Sequence, residues 1–302
     1  MNRNTIKNVP PKHIVTTASY SEYFYIISVY IAKTILFSNI ETRAAFYLAY
    51  ILAGSIICDF FTPPTTFLAS KYNHLNQYGV KIGWGWTITL LIPFIFSVSY
   101  VISNQNILIA LKNCSRLLFA TGIWYFWTTL FLIIERTVGV CILKEEKIAY
   151  SLCHSRGGKW IGLDLSGHIF LLTYCQLIIG EECKIYKYWE NFKNNCNAKG
   201  NRTLNTNKSQ TNSSSLPQNI TQLRRCNSWD RIIKYNFLFI ALLSLLWEVM
   251  ILGTILYFHT TIQKFSAALI AVSSWFLTYK MYYTTNKNLS PGIPEDLMRQ
   301  FR

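Results

Sequence analysis

Long apolar stretches separated by charged segments dominate this chain of 302 residues. The hydrocarbon core of a bilayer is about 30 Å thick, so a helix that crosses it needs about 20 mostly apolar residues. Six stretches meet this requirement, and they predict an all-α membrane protein, a polytopic bundle of six transmembrane helices. The predicted spans are Arg43–Phe61, Ile82–Ile102, Cys114–Ile134, Leu165–Gly180, Tyr235–Phe258 and Phe265–Tyr283.

The composition indicates the same class. Hydrophobic residues make up 51% of the chain and charged residues 14%, whereas about a quarter of the residues in soluble domains are charged. The net charge of +15 comes from Lys and Arg in connecting segments and termini, where these residues orient spans or contact anionic lipids. This distribution argues against nucleic acid as a partner. The eight cysteines form no CxxC pair, so a zinc or redox site is not expected.

Counts of Lys and Arg orient the spans, since both residues are enriched in cytosolic loops. The segment Glu181–Lys234 carries ten, and Thr137–Asp164, on the opposite side, carries four. Six spans then place both termini and the 181–234 loop in the cytosol, with loops 62–81 and 137–164 in the lumen. The apolar stretch Tyr20–Phe37 is interrupted by Glu22 and Lys33. It predicts an extra N-terminal amphipathic helix, with a true span as the alternative.

The chain therefore divides into an N-terminal cytosolic segment (1–42), spans one to four with lumenal loops (43–180), a cytosolic loop (181–234), spans five and six (235–283) and a cytosolic tail (284–302). The loop centre, Asn197–Gln222, is a low-complexity Asn/Ser/Thr tract for which we predict disorder. Its sequons are predicted to be unused because the loop is cytosolic. Cys141 and Cys153 share a predicted lumenal loop, where a disulfide is permitted but not required.

Two histidines stand at the rims of apolar stretches. His168 lies near the start of the fourth span and His259 just past the end of the fifth, so span parity places both at the lumenal boundary. Two imidazoles at one membrane surface can act as nucleophile and general acid on a lipid substrate. The alternative for each histidine is interfacial hydrogen bonding or helix packing.

Residues near these histidines are suited to phosphate. Gly167 removes side-chain bulk beside His168, so that a phosphate can approach the backbone N–H groups of a helix start. Ser166 can cap that helix or donate to a phosphate oxygen, and Asp164 can orient or charge His168. Lys81 can neutralise a phosphate or extend its ammonium group to the membrane surface.

Other polar and aromatic residues within the apolar stretches have structural interpretations. Glu248 lies mid-span, where paired burial inside the bundle is favoured over a proton-relay role. Trp84 and Trp86 are interpreted as part of an interfacial aromatic belt.

The segment DLSGHIFLLT, residues 164–173, resembles the signature of the fat storage-inducing transmembrane (FIT) proteins. The resemblance covers roughly residues 43–294 outside the low-complexity loop, and it rests on an ordered set of motifs. The supporting matches are at residues 52–55, 80–87, 121–125, 157–160, 181–182, 257–259, 263–264 and 290–292.

The resemblance implies a six-span protein of the endoplasmic reticulum (ER) that supports lipid droplet formation and ER lipid homeostasis. The family is related to lipid phosphate phosphatases and is described as a fatty acyl-CoA diphosphatase. It cleaves the CoA diphosphate to acyl phosphopantetheine and adenosine 3′,5′-bisphosphate. The resemblance makes His168 the general acid and His259 the nucleophile. No metal or other cofactor is expected.

The chain departs from the phosphatase relatives around His259. A Ser-Arg pair upstream and an Asp four residues downstream are replaced by Leu252, Gly253 and Gln263. The charge of the phosphates and the orientation of His259 must then depend on other groups. Candidate replacements for the arginine are Lys81, Lys159 and Lys264.

A noncatalytic function competes with the enzymatic one. Aromatic and small residues in the spans also suit a protein that binds di- or triacylglycerol and partitions neutral lipid into droplets. A transporter is disfavoured because the chain shows no paired broken helices and no internal repeat.

Overall fold

The computed structural model describes residues 20–61, 63–70, 72–142, 150–155, 157–162, 164–206 and 216–285. Helices form almost all of this part, with one antiparallel pair of three-residue strands and short 3₁₀- and π-helical segments. The helices are α1 (Tyr20–Leu36), α2 (Ile40–Phe60), α3 (Gly83–Ile102), α4 (Ile107–Val138), α5 (Tyr150–Ser155), α6 (Gly167–Glu182), α7 (Ile185–Thr206), α8 (Leu216–Tyr257), α9 (Thr261–Trp275) and α10 (Tyr283–Thr285), and the strands are β1 (Val140–Ile142) and β2 (Lys159–Ile161).

Membrane-length helices confirm the all-α membrane class. Within the described residues, four helices are long and apolar enough to cross a bilayer: α2, α3, α4 and the Ile220–Tyr257 part of α8. They correspond to the first, second, third and fifth predicted spans. The fourth corresponds to α6, which has only 16 residues. The sixth corresponds to α9, whose 15 residues continue through the π-helical turns Phe276–Tyr282 into α10. The count of six spans stays a prediction.

Helix α6 lies at the centre of the bundle. Its last 14 residues are all buried, and it packs against α9, α8, α3 and α2. A helix that is covered on every side needs no polar face. The short fourth apolar stretch is therefore the core of the molecule.

Buried ionic groups in the bundle are paired. The guanidinium of Arg116 donates to both carboxylate oxygens of Glu182, with Nε–Oε1 and Nη2–Oε2 distances of 2.8 Å. The hydroxyl of Tyr279 donates to the same carboxylate at 2.7 Å. Partners of this kind offset the desolvation that a buried charge suffers. The cluster ties α4, α6 and the π-helical segment together at the end of the bundle where α6 finishes.

Glu248 is also paired. It accepts hydrogen bonds from the hydroxyl of Tyr47 and from Nε2 of Gln176 at 2.9 Å. The half-buried side chain thus joins α8 to α2 and α6, and its pairing within the bundle is confirmed.

Trp84 belongs to the core, and its interpretation as part of an interfacial belt is wrong. It is 3% exposed, stacks on Trp124 and Tyr174, and donates from Nε1 to Oγ1 of Thr121 at 3.1 Å. The sequence Gly83-Trp84-Gly85-Trp86 does not indicate which of the two indole rings packs inside the protein. Trp86 is 49% exposed.

Helix α1 packs along α8. Its apolar side chains also point outward, as at Phe24 and Tyr30, which are 75% and 72% exposed. Its assignment as an interfacial amphipathic helix stays a prediction.

Helices α7 and α8 pack against each other, through Tyr186 and Phe237 at the start of the predicted fifth span and through Cys196 and Cys226 before it. The predicted disorder of Asn197–Gln222 is wrong at both ends of that tract, because α7 continues to Thr206 and α8 begins at Leu216. Buried residues of α7 recur at helical spacing at Trp189 and Cys196 before the tract and at Gly200 within it, so the buried face of the helix continues into the polar segment. Residues 207–215, with two of the four sequons, lie outside the described residues, as do the side chains of the other two, Asn201 and Asn219.

A disulfide joins Cys141 of β1 to Cys153 of α5, with the Cα atoms 5.8 Å apart. The strands β1 and β2 pair antiparallel, and Nε1 of Trp160 donates to the carbonyl oxygen of Glu135 at 2.9 Å. These contacts fasten the connection between α4 and α6 to the end of α4.

Candidate functional site

Three segments of the chain meet at one end of the bundle. They are the π-helical turn Leu75–Val80 before α3, the start of α6 and the turn between α8 and α9. Together they enclose a cleft of about 330 Å³. The structure thus brings both predicted histidines and the predicted lysine into one place. The cleft is lined by Tyr72, Asn76, Gln77, Lys81, His168, Phe258 and His259.

Ser166 positions His168 by starting α6. Its Oγ accepts a hydrogen bond from the backbone N–H of Ile169 at 3.3 Å, and the residue is fully buried. An N-cap of this kind satisfies one of the free N–H groups of a helix start. Of the two roles predicted for Ser166, the structure shows the cap.

Gly167 leaves open space beside His168. A methyl group built on its Cα would meet no atom of the described chain within 4 Å. The first turn of α6 directs its N–H groups toward this end of the bundle, and such a helix start attracts anions. The space is therefore suited to a phosphate oxygen.

His259 lies in the tight turn between α8 and α9. Its backbone has a φ of 61°, a left-handed conformation that histidine tolerates better than most residues. The next residue, Thr260, donates its N–H to Oε1 of Gln263 at 3.0 Å. Gln263, at the position where the phosphatase relatives have Asp, thus caps α9 and fixes the turn.

Asp164 contacts His259. Its Oδ2 lies 3.5 Å from Nδ1 of the imidazole, and the side chain of His259 is 18% exposed. We predicted that Asp164 acts on His168, whereas the contact that the structure shows for this carboxylate is with His259. The carboxylate missing four residues after His259 is therefore supplied from the segment before α6.

Only one of the three candidate cations is shown in the cleft. Lys81 lines it and makes no ion pair within the described part of the chain. Lys264 is 2% exposed, and its Nζ donates to the carbonyl oxygen of Ile255 at 2.8 Å, so a phosphate role for Lys264 is not supported. The side chain of Lys159 lies outside the described residues.

Sequence reasoning missed four residues of the cleft: Tyr72, Asn76, Gln77 and Phe258. Phe258 directly precedes His259, and the other three lie shortly before Lys81. The available signal was the polar run that precedes the lysine in a connection between two spans. Among the described residues, no cluster of three His, Cys, Asp or Glu side chains is arranged to hold a metal.

Comparisons with known proteins identify relatives of this chain. Residues 64–279 match the family described as Fat storage-inducing transmembrane protein. The chain is 35% identical over 272 residues to the acyl-coenzyme A diphosphatase FITM2 of Drosophila melanogaster, an alignment that covers 88% of this chain and 63% of that protein. Identity to the Homo sapiens protein of the same name is 33% over 254 residues, covering 82% and 84%.

The similarity extends to Caenorhabditis elegans, whose acyl-coenzyme A diphosphatase FITM2 is 31% identical over 268 residues, with 88% of this chain and 87% of that protein covered. The alignment thus spans less than two thirds of the Drosophila protein but most of the human and nematode proteins. No solved structure matches the chain. With most of its length matched by the family model, the chain belongs to the fat storage-inducing transmembrane protein family.

Proposed function

We propose that this protein is an acyl-CoA diphosphatase of the ER membrane. It hydrolyses the diphosphate of fatty acyl-CoA to acyl phosphopantetheine and adenosine 3′,5′-bisphosphate and supports lipid droplet formation and ER lipid homeostasis. The relatives carry that activity in their names. The observation that carries the proposal here is the single cleft that contains His168, His259 and Lys81.

His259 is the proposed nucleophile. With the carboxylate of Asp164 at Nδ1, the imidazole keeps its proton on that nitrogen, and the lone pair of this tautomer is on Nε2. Nε2 attacks one phosphorus of the diphosphate, an N–P bond forms, and the anhydride P–O bond breaks. The covalent phosphohistidine divides one displacement into two steps, and Asp164 stabilises the positive charge on the ring.

His168 is the proposed general acid. Its proton goes to the oxygen of the departing phosphate as the P–O bond breaks. The neutral ring then accepts a proton from the water that attacks the phosphohistidine, so His168 regains its proton and His259 its electron pair. The two reactions require opposite protonation states of two imidazoles, both of which are accessible near neutral pH.

Lys81 and the start of α6 neutralise the diphosphate. Lys81 supplies a full positive charge at the cleft, and the N–H groups beyond Gly167 supply the partial positive charge of a helix N-terminus. Their contribution is greatest where charge develops on the phosphate oxygens during the transfer.

The six-span topology with a lumenal cleft belongs to the same proposal. The cleft is built from the end of α8 and the starts of α3, α6 and α9, and these ends share one face when α6 and α9 each cross the membrane. The disulfide Cys141–Cys153 lies in the connection that leads to α6. Disulfides form in the ER lumen and are rare in the cytosol, which supports a lumenal orientation of this connection.

The decisive test uses the full chain purified in detergent micelles. We expect oleoyl-CoA to yield adenosine 3′,5′-bisphosphate, and we expect His168→Ala and His259→Ala each to reduce the rate at least about a hundredfold. His74→Ala is the matched control, because His74 is exposed and stacks on Tyr78. Normal hydrolysis by both folded variants would refute the proposal.

A specific observation also favours the noncatalytic alternative, binding of di- or triacylglycerol. An apolar groove of about 420 Å³ runs between α1 and α8, lined by side chains such as Phe24, Ile35 and Leu242. Its lining suits an acyl chain, and it contains neither histidine. Neutral-lipid binding and droplet formation that survive the loss of both histidines would establish this function in place of catalysis.

A further inference from the structure

An uncovered aromatic ring stands at the edge of the cleft. Tyr72 lines the cleft, yet the residue is 84% exposed. Its backbone N–H donates to Oγ of Ser70 at 3.3 Å. The side chain of Tyr72 is therefore largely accessible at the edge of the cleft.

Two buried asparagines hold the loop that carries Tyr72. Asn73 donates from Nδ2 to the carbonyl oxygen of Phe67 at 3.2 Å, and its Oδ1 accepts the N–H of Asn76 at 3.0 Å. Asn76 in turn donates from Nδ2 to the carbonyl oxygen of Ser70 at 3.0 Å. The main chain on both sides of Tyr72 is thus fixed by hydrogen bonds, whereas its side chain makes no hydrogen bond and no ring stacking within the described part of the chain.

We propose that Tyr72 is the stacking platform for the adenine base of the substrate. The inference rests on the proposed function and adds the group that recognises the nucleotide half of acyl-CoA. The acyl chain of that substrate must remain in the bilayer, and its diphosphate must lie between His168 and His259. The adenosine then extends away from the membrane, toward the connection between α2 and α3 that carries Tyr72.

The chemistry of the base fits this place. Purine rings stack on aromatic side chains, since every base presents a π-face. Gln77 lines the same cleft, and its amide makes no hydrogen bond within the described residues. An amide offers both donors and an acceptor to the edge of a base or to a ribose. Tyr72 and Gln77 would therefore select a nucleotide over a simple alkyl diphosphate.

A different role for an exposed tyrosine is anchoring in the lipid headgroups. The two roles differ in their dependence on substrate. A headgroup anchor acts on the placement of the whole protein and affects every substrate alike. An adenine platform affects only substrates that contain the base.

The test compares two substrates with the full chain in detergent micelles. One is oleoyl-CoA, and the other is oleoyl-pantetheine diphosphate with a methyl group in place of adenosine. We expect Tyr72→Ala to raise KM for oleoyl-CoA about tenfold, in the range measured for a base–aromatic stack, with kcat retained. Its kinetics on the methyl ester should equal those of the wild type. Tyr72→Trp should restore the low KM, since indole stacks at least as well.

Tyr78→Ala is the matched control, because Tyr78 is another exposed tyrosine of the same connection and does not line the cleft. We expect Tyr78→Ala to leave KM and kcat unchanged for both substrates. Equal losses on both substrates in Tyr72→Ala, or an unchanged KM for oleoyl-CoA, would overturn the inference.

Calorimetric binding of adenosine 3′,5′-bisphosphate separates this inference from the proposed function. The platform predicts that Tyr72→Ala weakens this binding about tenfold, whether or not the protein turns over acyl-CoA. Absence of hydrolysis by the wild type would refute the diphosphatase. Equal affinity of wild type and Tyr72→Ala for the bisphosphate would refute the platform.

Discussion

At the scale of single residues, the contact between Asp164 and His259 shows how the chain replaces a missing carboxylate. In the pattern of the phosphatase relatives, an aspartate stands four residues after the corresponding histidine. Here Gln263 occupies that position and caps α9, while Asp164 reaches Nδ1 of His259 from the segment before α6. For the proposed nucleophile His259, the partner at Nδ1 thus comes from a different part of the sequence.

Asp164→Asn tests this pairing. The amide is isosteric but can donate as well as accept, and it no longer stabilises a charged imidazole. We expect kcat for oleoyl-CoA to fall at least about tenfold, because a carboxylate beside a catalytic imidazole holds its tautomer and stabilises its charged form. Asp59→Asn is the control, because Asp59 accepts a hydrogen bond from Thr261 near the same turn and does not line the cleft. Equal effects of the two substitutions would indicate a structural role.

Gly167→Ala tests the open space beside His168. The new methyl group would meet no described atom of the protein within 4 Å, so the fold should be retained, yet it would occupy the volume that we assign to a phosphate oxygen. We expect kcat/KM to fall at least about tenfold, as displacement of reacting groups by about 1 Å has large effects. Gly122→Ala, which also meets no atom within 4 Å, lies in α4 away from the cleft and should retain full activity. Normal activity of Gly167→Ala would show that no phosphate oxygen of the substrate occupies this space.

At the scale of helices, the length of the apolar stretches predicts the helices correctly, whereas polar composition wrongly predicts disorder in the tract 197–222. The six apolar stretches all became helices, because length and hydropathy are sufficient to predict them. The tract Asn197–Gln222 was assigned to disorder on its Asn, Ser and Thr content. The buried positions Trp189 and Cys196 continue at helical spacing to Gly200 inside the tract, where the helix lies against Leu223 of α8, and burial against a neighbour stabilises a helix of low intrinsic propensity.

The thiols of Cys196 and Cys226 provide a test of the α7–α8 pair. Their sulfur atoms lie 3.0 Å apart, on two helices joined by a connection outside the described residues. We expect a thiol oxidant such as copper–phenanthroline to link them within one chain, with both thiols oxidised and oxygen reduced. Mass spectrometry of the peptides would detect the bond, and Cys196→Ser should abolish it. Disulfides that join Cys196 or Cys226 to Cys58 or Cys114 would contradict the packing of α7 against α8.

At the scale of the whole molecule, parity of spans predicted more of the site than any local motif. Counting crossings placed His168 and His259 on one face, and the structure brings them into one cleft. The number of membrane crossings predicts the face at which a residue lies, but not the direction of its side chain. For that reason the burial of Trp84, the turn of Lys264 toward the Ile255 carbonyl and the loop of Tyr72 could not be predicted from the sequence.

The orientation of the whole bundle in the membrane is open to a direct test. The disulfide Cys141–Cys153 and the cleft share one end of the bundle, whereas α7 ends at Thr206 and α8 begins at Leu216 away from that end. A glycosylation-acceptor tag inserted within residues 143–149 should be glycosylated in ER microsomes, because the glycan is added only in the lumen. The same tag inserted within 207–215 should stay unmodified. The reverse pattern would place the cleft in the cytosol, where it would meet cytosolic acyl-CoA.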